Sequence, residues 1–156
     1  MAELMKFRAW ITGFLPESPL MRDVYSISFA GYPVESISSI SVLRKDNSDF
    51  IHVPFGCYEL IRFTGKKGFN DRELYEGDIV FYEEKTDEGD ERYYLVIVWI
   101  QEWSMFASLH LDEYKTYLEF GAKELDESMF WTYTLEESEH YHYAGNIFEN
   151  VDLLNK

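Results

Sequence analysis

The run Arg92–Ile100, RYYLVIVWI, limits the fold more than any other stretch of the chain. Aromatic and β-branched residues fill it, and these side chains favour a pleated, packed surface. Its apolar residues occupy both faces, with Tyr93, Leu95, Ile97 and Trp99 set against Tyr94, Val96, Val98 and Ile100. A run apolar on both sides suits a strand covered on both faces, or one at the centre of a barrel. The acidic run Glu83–Glu91 precedes it and Gln101–Ser104 follows. Both read as turns, the first as an exposed hairpin connection because six carboxylates and one lysine will not pack. With strands expected at Ile79–Tyr82 and Met105–Leu109, this is a meander, a ready route to a small barrel.

The stretch Phe63–Tyr82 feeds the meander. Gly65 and Gly68 open a loop and Gly77 closes it, and glycine is favoured wherever φ must be positive. Upstream, Lys6–Gly13 and Val24–Ala30 alternate with the two-residue period of a strand. Phe14–Arg22, with Pro16 and Pro19, reads as a loop, and Gly31-Tyr32-Pro33 as a turn. Ser36–Leu43 and Phe50–Val53 read as extended, separated by polar turn material at Arg44–Asp49; Cys57–Thr64 alternates again. The one helical candidate is Asp112–Leu125, with acidic residues in its first turn and a break at Gly121. Met129–Leu135 is expected to be extended, and Tyr141–Phe148 is expected as the last strand. These elements predict one mainly β domain over residues 1–156: a small, partly open barrel or strongly bent antiparallel sheet, with one short helix over an end. An α+β arrangement is the alternative.

Composition agrees with a folded chain, since aromatics reach 18% and disordered chains lack them. The net charge of −15 is unevenly placed: residues 1–72 carry 9 basic and 8 acidic side chains, residues 73–156 carry 5 and 21. Counterion release rewards cationic surfaces, so duplex nucleic acid is a poor default partner. A strongly acidic half can instead steer a basic partner. A single cysteine, Cys57, gives no intramolecular disulfide and no pointer to an oxidising compartment. Met1–Leu15 lacks a sustained apolar run, and no stretch approaches the roughly 20 apolar residues of a membrane helix. The expectation is a cytoplasmic chain with no membrane partner.

No Walker loop, dinucleotide fingerprint, Gly-x-Ser-x-Gly elbow or Cys-x-x-Cys pair is present. No catalytic residue and no cofactor is therefore assigned, and enzyme activity is left open with a non-enzyme preferred. Glu76 and Asp78 flank Gly77; the favoured reading is that Asp78 accepts backbone N–H bonds at a turn, against a carboxylate pair for acid–base work or a hard cation. His140 and His142, one residue apart, would share a side of a strand, and with Glu137 or Glu139 could hold a divalent metal. No third ligand stands at a known spacing, so no metal is assigned. His52 and His110 are isolated, and Cys57 is expected to be a small buried apolar side chain. The remaining candidate is a surface of cations interleaved with rings: Arg62, Lys66, Lys67, Phe69, Arg72 and Tyr75. Such interleaving serves single-strand binding, but the favoured reading is a solvated loop whose cations pair with the acidic half.

Three separated pieces carry a resemblance. They are Lys6–Trp10 (KFRAW), Phe63-Thr64-Gly65 followed by Leu74–Val80 (LYEGDIV), and Ala144–Asn150 (AGNIFEN). Together the chain resembles the YopX-like proteins, small proteins of bacteriophages and prophages, over nearly its whole length. The resemblance implies a β-rich, roughly barrel-like fold and a phage or prophage setting, and it supplies no catalytic residues. The turn Gly68–Arg72 and the segment Leu109–Glu139 depart from the family's usual pattern. On these grounds the expected function is a non-enzymatic protein-binding or regulatory module, its partner an unidentified host or phage protein. Exposed edge strands also offer a route to self-association. The alternatives are single-strand binding by residues 62–72, DNA mimicry by the acidic residues 73–156, and an enzyme whose site is not recognisable.

Overall fold

The computed structural model describes residues 6–30, 36–44, 46 and 48–156. The expected turn at Gly31-Tyr32-Pro33 lies outside the described residues. The chain forms two compact units, Met1–Phe63 and Thr64–Lys156. Both are antiparallel β, the expected class, and one of the sheets curls as a half-barrel.

In the first unit, β1 (Phe7–Ile11) runs between β2 (Leu20–Asp23) and β6 (Tyr58–Lys67), antiparallel to both. A second sheet joins β3 (Ser26–Ala30), β4 (Ser36–Leu43) and β5 (Phe50–Pro54) as a meander. The alternation read in β1 places Ala9 and Ile11 wholly inside, with Ile40, Val42 and Val53. Burying an isoleucine of this kind contributes about 1.5–3 kcal/mol. Two expectations need correction here. The loop Phe14–Arg22 ends earlier than expected, because Leu20, Met21 and Arg22 find hydrogen-bonded partners on β1. Cys57 is half-buried rather than buried, packed at the margin of this core.

The second unit opens with the end of β6 and a 3-10 turn at Phe69–Asp71, then β7 (Glu73–Tyr75), which lies beside β6. Its main sheet has the order β10-β9-β8-β11, built from β8 (Asp78–Thr86), β9 (Gly89–Ile100), β10 (Met105–His110) and β11 (His142–Asn146). β9 occupies an inner position and buries both faces, as its sequence requires. Val96, Val98 and Ile100 enter one cluster with Ala107, Leu109 and Leu111, while Leu95 and Ile97 enter another with Leu74, Val80 and Tyr141. The helix α1 (Leu111–Phe120) stops at Gly121, whose φ of 82° favours glycine. It buries Leu111 and Tyr114 in the first of those clusters. The segment after it serves both faces of the sheet: Ala122, Leu125 and Tyr133 join the first cluster, Leu135 and Tyr141 the second.

Three further expectations are corrected in this unit. The acidic run Glu83–Glu91 is not a loop: β8 and β9 stay paired out to Thr86↔Gly89, leaving only Asp87-Glu88 as the turn. Backbone pairing needs no burial, so a charged ribbon forms wherever two strands are already in register. Met129–Leu135 is not extended; Glu127–Tyr133 is a 3-10 helix whose start is capped by Asp126 accepting from the Ser128 N–H at 3.0 Å. Residues three apart share a face of such a helix, and Phe130 and Tyr133 both pack on Trp103, at 5.3 and 5.7 Å between ring centres. The final strand ends at Asn146, because the Asn146 side chain accepts from the N–H groups of Phe148 and Glu149 and turns the chain. No helix among the described residues is long and apolar enough to cross a membrane.

Candidate functional site: an acidic, ring-lined groove

The loop that stands out in the sequence is first of all a folding element. The Asp78 side chain is buried and accepts the Tyr75 N–H at 2.8 Å, the role read for it. Gly77 sits at φ 87°, with the Phe148 ring 2.9 Å from where a Cβ would stand. Gly68 is different. Its φ is −91°, so no left-handed turn requires it. What it supplies is space, since a Cβ there would lie 2.7 Å from the Tyr141 carbonyl oxygen. The left-handed positions at this end of the loop fall instead on Gly65, at φ 78°, and on Asn70 and Asp71, at φ 57° and 58°. Two hydrogen bonds fasten this loop to the segment before β11: Phe69 N–H to Tyr141 O at 2.9 Å, and Ser138 Oγ to Lys67 O at 2.8 Å.

The six candidate surface residues are placed as follows. Arg62 belongs to the first unit, in register with Phe7 on β1; the other five lie in the second. The Arg72 guanidinium covers the Tyr143 ring at 3.7 Å. Phe69 packs on the His142 ring at 4.3 Å. Tyr75 is buried, and its hydroxyl donates to Glu73 at 3.1 Å. Lys66 and Lys67 are exposed, without an ion-pair partner among the described residues. His140 and His142 are not on one strand: His140 ends a 3-10 turn, while His142 begins β11 and stacks on Phe81 at 5.1 Å. Among the described residues no group of three or more His, Cys, Asp or Glu converges as metal ligands would.

Sequence reasoning missed a groove of ≈ 920 Å³ in the second unit. Its apolar surface comes from Tyr82 on β8, Tyr141 before β11, and Phe69, Met129 and Trp131. Trp131 is 71% exposed although nothing in a folded core requires an indole in water. The acidic lining consists of Glu83, Glu84, Asp90, Glu113, Glu136 and Glu137, against one lysine, Lys85. Long-range pairing assembles it from four separate stretches, 69, 82–95, 110–113 and 129–142, so no local pattern could have revealed it. The only signals in the sequence were the aromatic excess and the acidic runs at 83–91 and 136–139.

Rings organise this surface. Tyr82 stacks on Tyr93 at 5.3 Å and lies near-parallel to Tyr141 at 6.5 Å. His110 meets Tyr82 and Tyr93 edge-on, at 6.1 and 6.3 Å. The Tyr141 hydroxyl is 3.1 Å from Ser108 Oγ, which is buried. Glu113 is held by the backbone it caps, accepting the His110 N–H at 2.9 Å. Burial pushes the Tyr82 hydroxyl above its ordinary pKa, and the Glu84 and Glu113 carboxylates push it the same way. Burial likewise raises Tyr141, partly opposed by the Ser108 hydrogen bond. The Tyr93 hydroxyl, donating to Glu91 at 2.6 Å, is pushed up to about 12. All three phenols therefore remain protonated donors at neutral pH, in a negative field.

The two antiparallel units and the groove define the chain as a small β protein with an acidic, aromatic surface. The sequence belongs to the YopX family: the family model described as YopX protein matches residues 6–155. Among solved structures, the chain is similar to protein EF1440 from Enterococcus faecalis, at 21% identity and a TM-score of 0.52. That match covers 97% of this chain and 98% of the other, and it supports the fold alone. No curated protein matches the sequence.

Proposed function

We propose that the chain is a non-enzymatic protein-binding or regulatory module, encoded by a phage or prophage as the family resemblance suggests, that holds its partner in the groove of the second unit. The observation carrying this reading is the groove itself, where Tyr82, Tyr141, Met129 and Trp131 share ≈ 920 Å³ with six carboxylates. Tyrosine and tryptophan supply most of the binding energy at protein interfaces, because a large ring buries area while losing few torsions. Met129 and Trp131 sit in water on a capped helix, so the apolar surface is presented in advance rather than formed on binding. The candidate residues Lys66 and Lys67 lie outside the lining, whereas Phe69 belongs to it.

The test is site-specific photocrosslinking in bacterial host cells, with a benzophenone side chain in place of Met129. A discrete protein adduct is expected, lost in Trp131→Ala and Tyr82→Ala and kept when Lys66 and Lys67 become Glu. Adducts unaffected by the groove variants would overturn the reading. Loss of single-strand binding on the lysine change alone would move the function to the basic loop. Adducts confined to nucleases or polymerases would favour DNA mimicry by residues 73–156. An adduct with a second copy of the chain would make self-association the function.

A further inference from the structure

Resting on the groove as the binding site, we propose that its occupant is a cationic peptide segment of a partner protein, whose lysine or arginine side chain lies against the half-buried Tyr82 ring. Within the second unit the chain already places its own cations on rings: Arg72 on Tyr143, Arg92 on Phe81 and Lys156 on Tyr94. Among the described residues no cation of the chain lies on Tyr82 or Tyr141. The same asymmetry holds for the carboxylates. Glu83 is paired with Arg92 at 2.7 Å, and Glu113 is engaged at the helix start. Glu84, Glu136 and Glu137 have no ion-pair partner among the described residues.

The face of a tyrosine ring carries negative potential and attracts ammonium and guanidinium groups, more strongly where water is thinned out. A carboxylate nearby adds to the attraction; Tyr82 is half-buried, and Glu84, two residues along β8, is on the same side of the strand. The upward push on the Tyr82 hydroxyl from Glu84 and Glu113 reports the same negative field. An anionic segment would instead set its charges against Glu84, Glu136 and Glu137, which disfavours a phosphorylated or acidic occupant. The stems of lysine and arginine are apolar, so one side chain can cover Trp131 or Met129 while its head meets a carboxylate.

Calorimetric titration with short synthetic peptides of equal length tests the proposal, using arginine-rich, lysine-rich, neutral and glutamate-rich sequences. The two cationic peptides are expected to bind with an affinity that falls as salt rises, and the other two are expected not to bind. A chain of net charge −15 will attract any polycation weakly, so the decisive comparison is between two doubly neutralised variants. Glu136→Gln with Glu137→Gln should weaken binding about 5-fold. Glu119→Gln with Glu124→Gln, on α1 and beyond it and outside the groove, should leave binding unchanged. Tyr82→Leu should cost about tenfold, with thermal unfolding confirming that the variant is folded. Equal loss in both neutralised pairs would overturn the proposal, since attraction would then be diffuse. Binding of a neutral or acidic peptide that Trp131→Ala abolishes would also overturn it, while leaving the groove as the binding site. No binding by any peptide, together with no crosslink from position 129, would remove the groove reading itself.

Discussion

The basic loop at Lys66–Arg72 and the acidic groove both mix charge with rings, yet the chain uses them in opposite ways. In the loop, Arg72 is spent on Tyr143 and Phe69 packs on His142. In the groove, Glu84, Glu136 and Glu137 face water and Trp131 is 71% exposed. Both partners lie on β11, so the long-range pairing that fastens the loop also satisfies its cation and its ring. Glu84, Glu136 and Glu137, brought onto one surface by the same fold, have no ion-pair partner among the described residues. Their mutual repulsion is a standing cost, one that the proposed cationic partner would relieve.

Substitutions can break or sharpen this contrast. The largest effect is expected at the base of the loop, where Asp78→Ala leaves the Tyr75 N–H buried without its acceptor. A loss of about 3 kcal/mol is expected in denaturant unfolding. Normal stability with lost binding would instead give Asp78 a part in function. Gly68→Ala drives a methyl group towards the Tyr141 carbonyl, for a loss of about 2 kcal/mol. Gly13→Ala, with open space around it, is the matched control and should stay within about 0.5 kcal/mol. If both behave alike, the close approach at Gly68 is not what the loop depends on.

Tyr141→Phe should cost about 1 kcal/mol at neutral pH through the Ser108 contact. The same variant carries a pH signature. The folded chain holds the Tyr141 proton more tightly than an unfolded one, whose tyrosines titrate near 10.0. Stability from this group is therefore fully present below about pH 10 and is lost as pH rises from there through the folded value. Tyr58, Tyr82, Tyr117 and Tyr133, also raised by burial, add to the alkaline loss. Thermal melts from pH 8 to 11 should show a shallower decline in Tyr141→Phe. The smallest effect separates the two regions most cleanly. Trp131→Ala should change stability by less than about 0.5 kcal/mol, because the ring is mostly in water. Arg72→Ala should lose about 1 kcal/mol from its contact with Tyr143.

Period-two alternation made the β class and most strands legible, β9 above all, because a strand apolar on both faces has few places to go. The same rule misled at Met129–Leu135. Met129, Trp131, Tyr133 and Leu135 alternate like a strand, but Asp126 and Ser128 start a 3-10 turn first. The acidic run at Glu83–Glu91 was legible as a hairpin and illegible as paired strands, since charge reports exposure and says nothing about backbone hydrogen bonds. The three pieces that carry the family resemblance include turn residues, Gly77, Asp78 and Asn146, whose roles are local and therefore visible in sequence. The groove was not visible, because Phe69, Tyr82, Glu113 and Trp131 meet only through the tertiary fold.

The two hydrogen bonds between residues 67–69 and residues 138–141 have a mechanical meaning. They tie the basic tip to the backbone at Ser138 and Tyr141, so the Phe69 amide is protected from exchange for as long as that backbone stays in place. An occupant of the groove that steadies this backbone should slow hydrogen exchange at the Phe69 amide, which makes that amide a gauge of occupancy.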